Sequence, residues 1–178
     1  MTNTKLIPEI YGEAKYCFLS TPDTFFDEKE GQYSVTLNVP KANAGGLIRD
    51  INEVIKAELA NGESLDTAKK PYGVEGDLVW FKTKTKFKPT LWDKNQKKIE
   101  DSVNVWKGST MWVKCTASGY RKNGVGATLL LSGVQIDKLV EGTAEGTGAC
   151  PFPVRAPRIK LNQPITESVL PAPQKAAY

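Results

Sequence analysis

The stretch QYSVTLNVPKANAGGLIRDINEVIKAELANG, Gln32 to Gly62, changes its hydrophobic period halfway along. Up to Pro40, Tyr33, Val35, Leu37 and Val39 alternate with Ser34, Thr36 and Asn38, which is the pattern of a half-buried strand that proline then ends. Beyond it Leu47, Ile48, Ile51, Val54, Ile55 and Leu59 keep helical spacing, so the chain turns from strand to amphipathic helix. Asn43 is placed to cap that helix and Asn61-Gly62 to stop it. The apolar stripe reads as core.

No other stretch has helical period. Strands are expected at Val79–Lys88, Ser102–Trp106, Thr110–Ser118 and Ala127–Val140, separated by the turn-forming runs DKNQKK, WKGS and RKNGVG. Gly133 interrupts the longest of them, where a bulge or bend is expected. Short strands around one helix predict a mainly β fold, an OB-like five-stranded barrel with one inserted helix. A sandwich with an inserted helix fits the same pattern. From Gly142 the composition changes, and six of the eleven prolines fall between Pro151 and Pro173, which excludes helix and central strand there. The expected division is a domain at 1–141 and an extended Pro/Gly-rich tail at 142–178.

A chain of 178 residues buries ~70% of its unfolded surface. No apolar run approaches the ~20 residues of a membrane span, and the first residues show no signal-peptide pattern, so a cytoplasm is the expected location. Cys17, Cys115 and Cys150 are far apart and without C-x-x-C spacing, which reads as reduced, buried thiols. Histidine is absent, which removes Ser-His-Asp and Cys-His catalysis and the histidine-ligated metal sites together. No cofactor or metal is expected. The net charge of +4 conceals an uneven distribution: residues 1–77 hold 8 basic and 13 acidic side chains, residues 78–138 hold 12 and 4, and residues 139–178 hold 4 and 3. Such a concentration of positive charge suits a face that meets a polyanion.

That middle third contains WFKTKTKFKP, Trp80 to Pro89. Alternate residues of a strand share a face, so Trp80, Lys82, Lys84, Lys86 and Lys88 point one way and Phe81, Thr83, Thr85 and Phe87 the other. Unpaired lysines cannot be buried and face water or an anion. An edge strand protected by lysines is the plain alternative. In TMWVKCTASGYRK, read as a neighbouring strand, Met111, Val113 and Cys115 turn inward and Trp112, Lys114 and Thr116 outward, with Tyr120, Arg121 and Lys122 in the turn. Lysines neutralise phosphates, and a ring stacks on any base for ~1–3 kcal/mol, so the mixture suits an unpaired polynucleotide. Trp92 and Trp106 are assigned to core or loop packing.

Two other patterns fail. Pro22, Asp23, Glu28 and Lys29 of PDTFFDEK are too closely spaced for a PD-(D/E)xK nuclease, and GVGAT lacks the spacing of a phosphate loop. A carboxylate-dependent nuclease, a structural protein with a basic interaction face and an RNA-binding barrel remain as alternatives.

The segments GEAKYCFLSTPD, QYSVTLNVP with its helix, FKTKTKF, KNQKKIED, KGSTMWVKCTASGYRKNGVGAT and LSGVQIDKLVE, in this order from about Lys5 to Glu141, resemble the single-stranded-DNA-binding replication proteins of podoviruses. The resemblance implies an OB-fold protein that coats single-stranded DNA in phage replication, recombination and repair, promotes annealing, and meets the replicative polymerase and helicase. It implies DNA contact at Lys82, Lys84, Lys114, Tyr120 and Lys5. With the readings above, the expected interface is Trp80, Lys82, Lys84, Lys86, Trp112, Lys114, Tyr120, Arg121, Lys122 and Lys5; a homodimer is a further expectation. The family's tail is strongly acidic and ends in an aromatic residue. Here residues 139–178 carry +1, and only Tyr178 keeps the aromatic feature.

Overall fold

The computed structural model describes residues 2–25 and 31–141. The expected tail at 142–178 lies outside them. Seven strands and one helix follow in the order β1 (Thr4–Asp23), β2 (Gln32–Pro40), α1 (Lys41–Glu58), β3 (Tyr72–Glu75), β4 (Leu78–Thr85), β5 (Leu91–Asp93), β6 (Thr110–Tyr120) and β7 (Gly126–Lys138).

β1 holds the fold together. Its first half pairs antiparallel with β6, Thr4 with Ser118 through Glu13 with Thr110, and its second half with β2, Glu13 with Asn38 through Asp23 with Gln32. Register shifts between Ile7 and Ile10 and between Ala14 and Tyr16 bend the strand between its two partners. β2 pairs with β4, β6 pairs with β7, and β4 meets β7 in parallel at Thr83–Leu129 and Lys84–Leu130. The ring β1-β2-β4-β7-β6 is therefore closed. β3 forms a hairpin with β4, and β5 continues along β7 beyond the end of β4.

The inward residues fill the barrel: Ile7, Ile10, Ala14 and Leu19 from β1, Val35, Leu37 and Val39 from β2, Val79, Phe81 and Thr83 from β4, and Met111, Val113, Cys115 and Ala117 from β6. On β7 the buried positions run Ala127, Leu129, Leu131 and then Val134, Ile136. The phase changes because Lys114 faces Gly133 while Cys115 faces Leu131, leaving Ser132 as a bulge beside the expected glycine. α1 touches all five strands of the ring, so it lies across one open end, with Leu47, Ile51, Val54 and Ile55 turned inward. Burial pushes the thiol of Cys17 up to about 11 and that of Cys115 up to about 12, which keeps both in the inert protonated form. Cys150 lies outside the described residues.

The structure departs from several expectations. The helix begins at Lys41, before Asn43, because the Asp77 carbonyl of the β3–β4 turn accepts the Lys41 N–H at 2.9 Å and no side-chain cap forms. It ends at Glu58, where Leu59 is already extended; Asn61-Gly62 forms a separate turn, closed by the Glu63 N–H on the Ala60 carbonyl. No strand forms at Ser102–Trp106, where only Val105 makes a bridge, to Glu141. β1 replaces it as the fifth strand of the ring, its alternation hidden by its three register irregularities, the third between Phe18 and Asp23. β4 stops at Thr85, so Lys86 and Lys88 leave the stripe and Phe87, expected to face the core, is 82% exposed. β4 and β6 are not neighbours, since β7 lies between them.

Gly12 lies against β2 at Leu37 and the backbone of Asn38. A Cβ there would stand 2.6 Å from the Asn38 carbonyl oxygen, and backbone cannot move aside as a side-chain tip can. Gly12→Ala is expected to lower stability by ~2–3 kcal/mol. A urea melt with an unchanged slope and a lower midpoint checks this.

Candidate nucleic-acid interface

Residues that pair across neighbouring strands share a face, so the pairings fix what surrounds the lysine stripe. On the outside of the barrel Lys82 pairs with Thr36 of β2, which pairs with Tyr16 of β1. One step along, Lys84 pairs with Ser34 and Ser34 with Phe18, while on its other side Lys84 meets Leu130 of β7. At the opposite end Trp80 lies between Asn38, itself opposite Glu13, and Gly73 of β3. The indole rests on the bare backbone of Gly73, where an added Cβ would be 2.5 Å from the ring.

The outward face of β2, expected to meet solvent, is instead covered. Ser34 and Thr36 are each only 6% exposed. Short hydroxyl side chains lie low between long neighbours, so β2 becomes the floor of a trough with lysines along one wall and aromatic rings along the other. Among the described residues, the buried side-chain oxygen without a hydrogen-bond partner is Asn38 Oδ1, on the same floor. At the Trp80 end, Lys15 from the irregular turn of β1 forms an ion pair with Glu75 of β3, over the two intervening strands. The β3 hairpin therefore folds over this face.

The cations differ in what already holds them. Lys5 is paired with Asp50 at 3.0 Å and with Glu53, both on α1, and these carboxylates hold its ammonium above the usual lysine range, Glu53 first. It lies opposite buried Ala117 at the helix-plugged end, away from the trough. Arg121 is 3.1 Å from Glu63, whose carboxyl is held below the ordinary range by the Ala60 N–H and by this guanidinium. Lys114 is 3.3 Å from Glu9, and Lys88 is 3.9 Å from Asp101. Among the described residues no carboxylate pairs with Lys82 or Lys84. These two are exposed to different degrees on the wall of the trough, and they carry the uncompensated charge of the stripe.

Trp112 and Lys114 stand on the other flank of β7. Trp112 pairs with Tyr11 of β1, ring centroids 4.9 Å apart, and with Gln135 of β7, which pairs with Trp92 of β5. Trp92 is thus part of a surface cluster, not of the core, and is 42% exposed; Trp106 is also exposed. Lys114, Trp112, Trp92, Gln96 and Gln135 line an open pocket of about 400 Å³. The expected interface is therefore two patches, one on β4 and one on β6, with Leu130, Ser132 and Gly133 of β7 between them. Tyr120 is half-buried and lies across Gly126, its hydroxyl 2.7 Å from where a Cβ would stand. Arg121 and Lys122 are exposed in the β6–β7 turn, at the Trp80 end. Lys86 is exposed just beyond the end of β4. Sequence reading did not single out Tyr16, Phe18, Tyr11 or the β2 floor. The segment KYCF, a lysine among aromatics, carried the only local signal.

A five-stranded ring closed by a parallel pair and plugged by one helix defines an OB-type barrel, a fold that takes up single-stranded ligands on the face of its second and third strands, here β2 and β4. No family model matches the sequence and no curated protein does. Solved structures do. The chain is similar to gp2.5, a single-stranded DNA-binding protein encoded by bacteriophage T7, with 22% identity over 84% of this chain and 98% of that one and a TM-score of 0.60. It is also similar to the single-stranded DNA-binding protein of bacteriophage Enc34 in complex with single-stranded DNA, with 18% identity over 79% and 99% and a TM-score of 0.57. A C-terminal truncation of the Enc34 protein gives 19% identity over 77% and 97%, again with a TM-score of 0.57. At these identities the likeness is one of fold. The structural neighbours are phage single-stranded-DNA-binding proteins, as the sequence resemblance implies.

Proposed function

We propose that this chain binds single-stranded DNA without sequence preference, in the trough over β2 and β4, and that it does so without catalysis. One observation carries the reading: Lys82 and Lys84 stand unpaired with acids, side by side on the ligand-binding face of an OB barrel, next to a sunken hydroxyl floor. An unpaired row of like charges is stabilised by an anion, and a repeating anion suits a repeating row. The structural neighbours are single-stranded DNA-binding proteins, one of them in complex with single-stranded DNA, which agrees with this reading.

Trp80 offers a ring at one end of the trough, with Arg121 and Lys122 beyond it and Lys86 at the other end. Trp112 and Lys114 form the second part of the proposed interface, reached across β7, while Tyr120 joins Arg121 and Lys122 at the Trp80 end. The biological role that follows is strand coating in phage DNA replication, recombination and repair in the host cytoplasm, with annealing as a consequence of coating. The replicative polymerase and helicase, and a second copy of the chain, are the proposed protein partners. A duplex hides its base faces, so it leaves the rings unused.

Titration of tryptophan fluorescence with single-stranded DNA, duplex DNA and RNA at two salt concentrations tests this. With about four phosphates held, by Lys82, Lys84, Lys86 and Lys114, log affinity for the single strand falls against log salt with a slope near −3. Equal quenching by duplex, or affinity indifferent to salt, overturns the reading. Comparison of the DNA and RNA curves decides between the two polymers.

A further inference from the structure

We propose that Tyr16 and Phe18 are the base-stacking wall of the trough, so that a bound strand runs with its phosphates along Lys82 and Lys84 and its bases turned toward β1. This rests on the single-stranded-DNA reading and adds residues to it. Tyr16 is 57% and Phe18 39% exposed, and because both pair with the outward residues of β2 they form one contiguous aromatic surface that a ligand can cover. Each stands directly across β2 from one lysine: Tyr16 faces Lys82 over Thr36, and Phe18 faces Lys84 over Ser34. The two walls are two strand spacings apart, roughly 10 Å. A nucleotide laid across that gap meets cation at its phosphate and a ring at its base, above the covered hydroxyls of Ser34 and Thr36.

The spacing along the trough agrees. Two residues of a strand cover ~6.8 Å. That is twice the ~3.4 Å rise per base of a stacked strand, which leaves room for one aromatic ring for each base. Lys82 and Lys84 repeat at the same interval, so phosphate and base contacts stay in step. The ammonium of Lys15 lies 5.6 Å from the centroid of the Tyr16 ring while paired with Glu75, which holds that ring in place before any ligand arrives. Behind the two rings is a cleft of about 390 Å³ lined by Tyr16, Phe18, Asn104, Trp106 and Lys107, among others, so Trp106 provides a third surface for a base that overshoots the wall.

The test pairs Y16L/F18L with K82A/K84A and measures binding of oligo(dT) and of an abasic oligonucleotide of the same length. Leucine keeps the apolar bulk, and matched thermal melts show that the fold is intact. The expected result for Y16L/F18L is a loss of roughly tenfold per ring on oligo(dT), with an unchanged salt slope and unchanged binding of the abasic strand. Affinity for oligo(dT) that stays at the wild-type level in Y16L/F18L but falls in K82A/K84A overturns the wall and leaves the DNA reading standing. Wild-type protein that binds neither oligonucleotide overturns both. Independently of any variant, photocrosslinking of the wild-type protein to 5-iododeoxyuridine DNA is expected to label Tyr16 or Phe18. Labels confined to Trp112 and Trp92 overturn the wall.

Discussion

Removing Lys82 and Lys84 together, as K82A/K84A, is expected to flatten the dependence of single-stranded-DNA affinity on salt by ~1.4 in log–log slope, at ~0.7 for each phosphate no longer neutralised. Wild type and variant should then converge by about 25-fold between 50 and 500 mM salt, since two fewer counterions are released on binding. The loss is largest at low salt. Neither lysine supports the fold, because both point away from the core and no carboxylate among the described residues pairs with either. The melting temperature should stay near that of the wild type. Lys114→Ala provides the comparison, with a smaller expected effect, since its ammonium already has Glu9 at 3.3 Å and must leave it to meet a phosphate. Equal effects from K114A alone and from the β4 pair would show that charge at the two sites is interchangeable, and would remove the trough from its central place.

The residue between Trp80 and Lys82 on β4 has the opposite role. Phe81 is fully buried, pairs with Leu37 on one side and with Tyr72 on the other, and has its ring centroid 6.0 Å from that of Tyr72. Phe81→Ala is expected to lower stability by ~3–5 kcal/mol, from reduced burial and from the cavity left in a closed barrel that cannot collapse around it. A domain whose total stability is ~5–15 kcal/mol would then unfold at a far lower urea concentration. Affinity of the remaining folded fraction should change little. Adjacent positions of one strand would thus separate into stability at 81 and binding at 82 and 84, and a F81A protein that melts like the wild type would refute the packing of β4 against the core.

The alternation of Phe81 and Thr83 with Lys82 and Lys84 was legible because β4 is flanked on both sides and keeps strict period two along its paired length. The period continues in the sequence through Lys86 and Lys88, but pairing stops at Thr85, opposite Tyr33 near the start of β2. Periodicity alone does not report where a partner ends. β1 escaped reading for the converse reason: Glu13, Tyr16 and Phe18 face outward and Ala14 and Leu19 inward, an order that the irregularity at Lys15 breaks. Trp92 belongs to a strand of three residues that joins the sheet through its parallel pairing with Val134, Gln135 and Ile136, some forty residues on. The partners of Lys5 are likewise distant, since Asp50 and Glu53 come to it only after α1 has crossed the barrel end. What the chain encodes locally was readable, and what depends on which strand lies beside which was not.

The double pairing of β1 also bears on how the protein is made. On the ribosome, residues 4–13 have no strand to join until Thr110–Tyr120 has emerged, and β4 cannot complete its contacts until Leu129 and Leu130 follow. The nascent chain therefore carries open hydrogen-bonding edges for most of its synthesis, the situation in which slow assembly and self-association compete. Closure then comes late and at once, when β6 and β7 arrive as a hairpin and seal both gaps together.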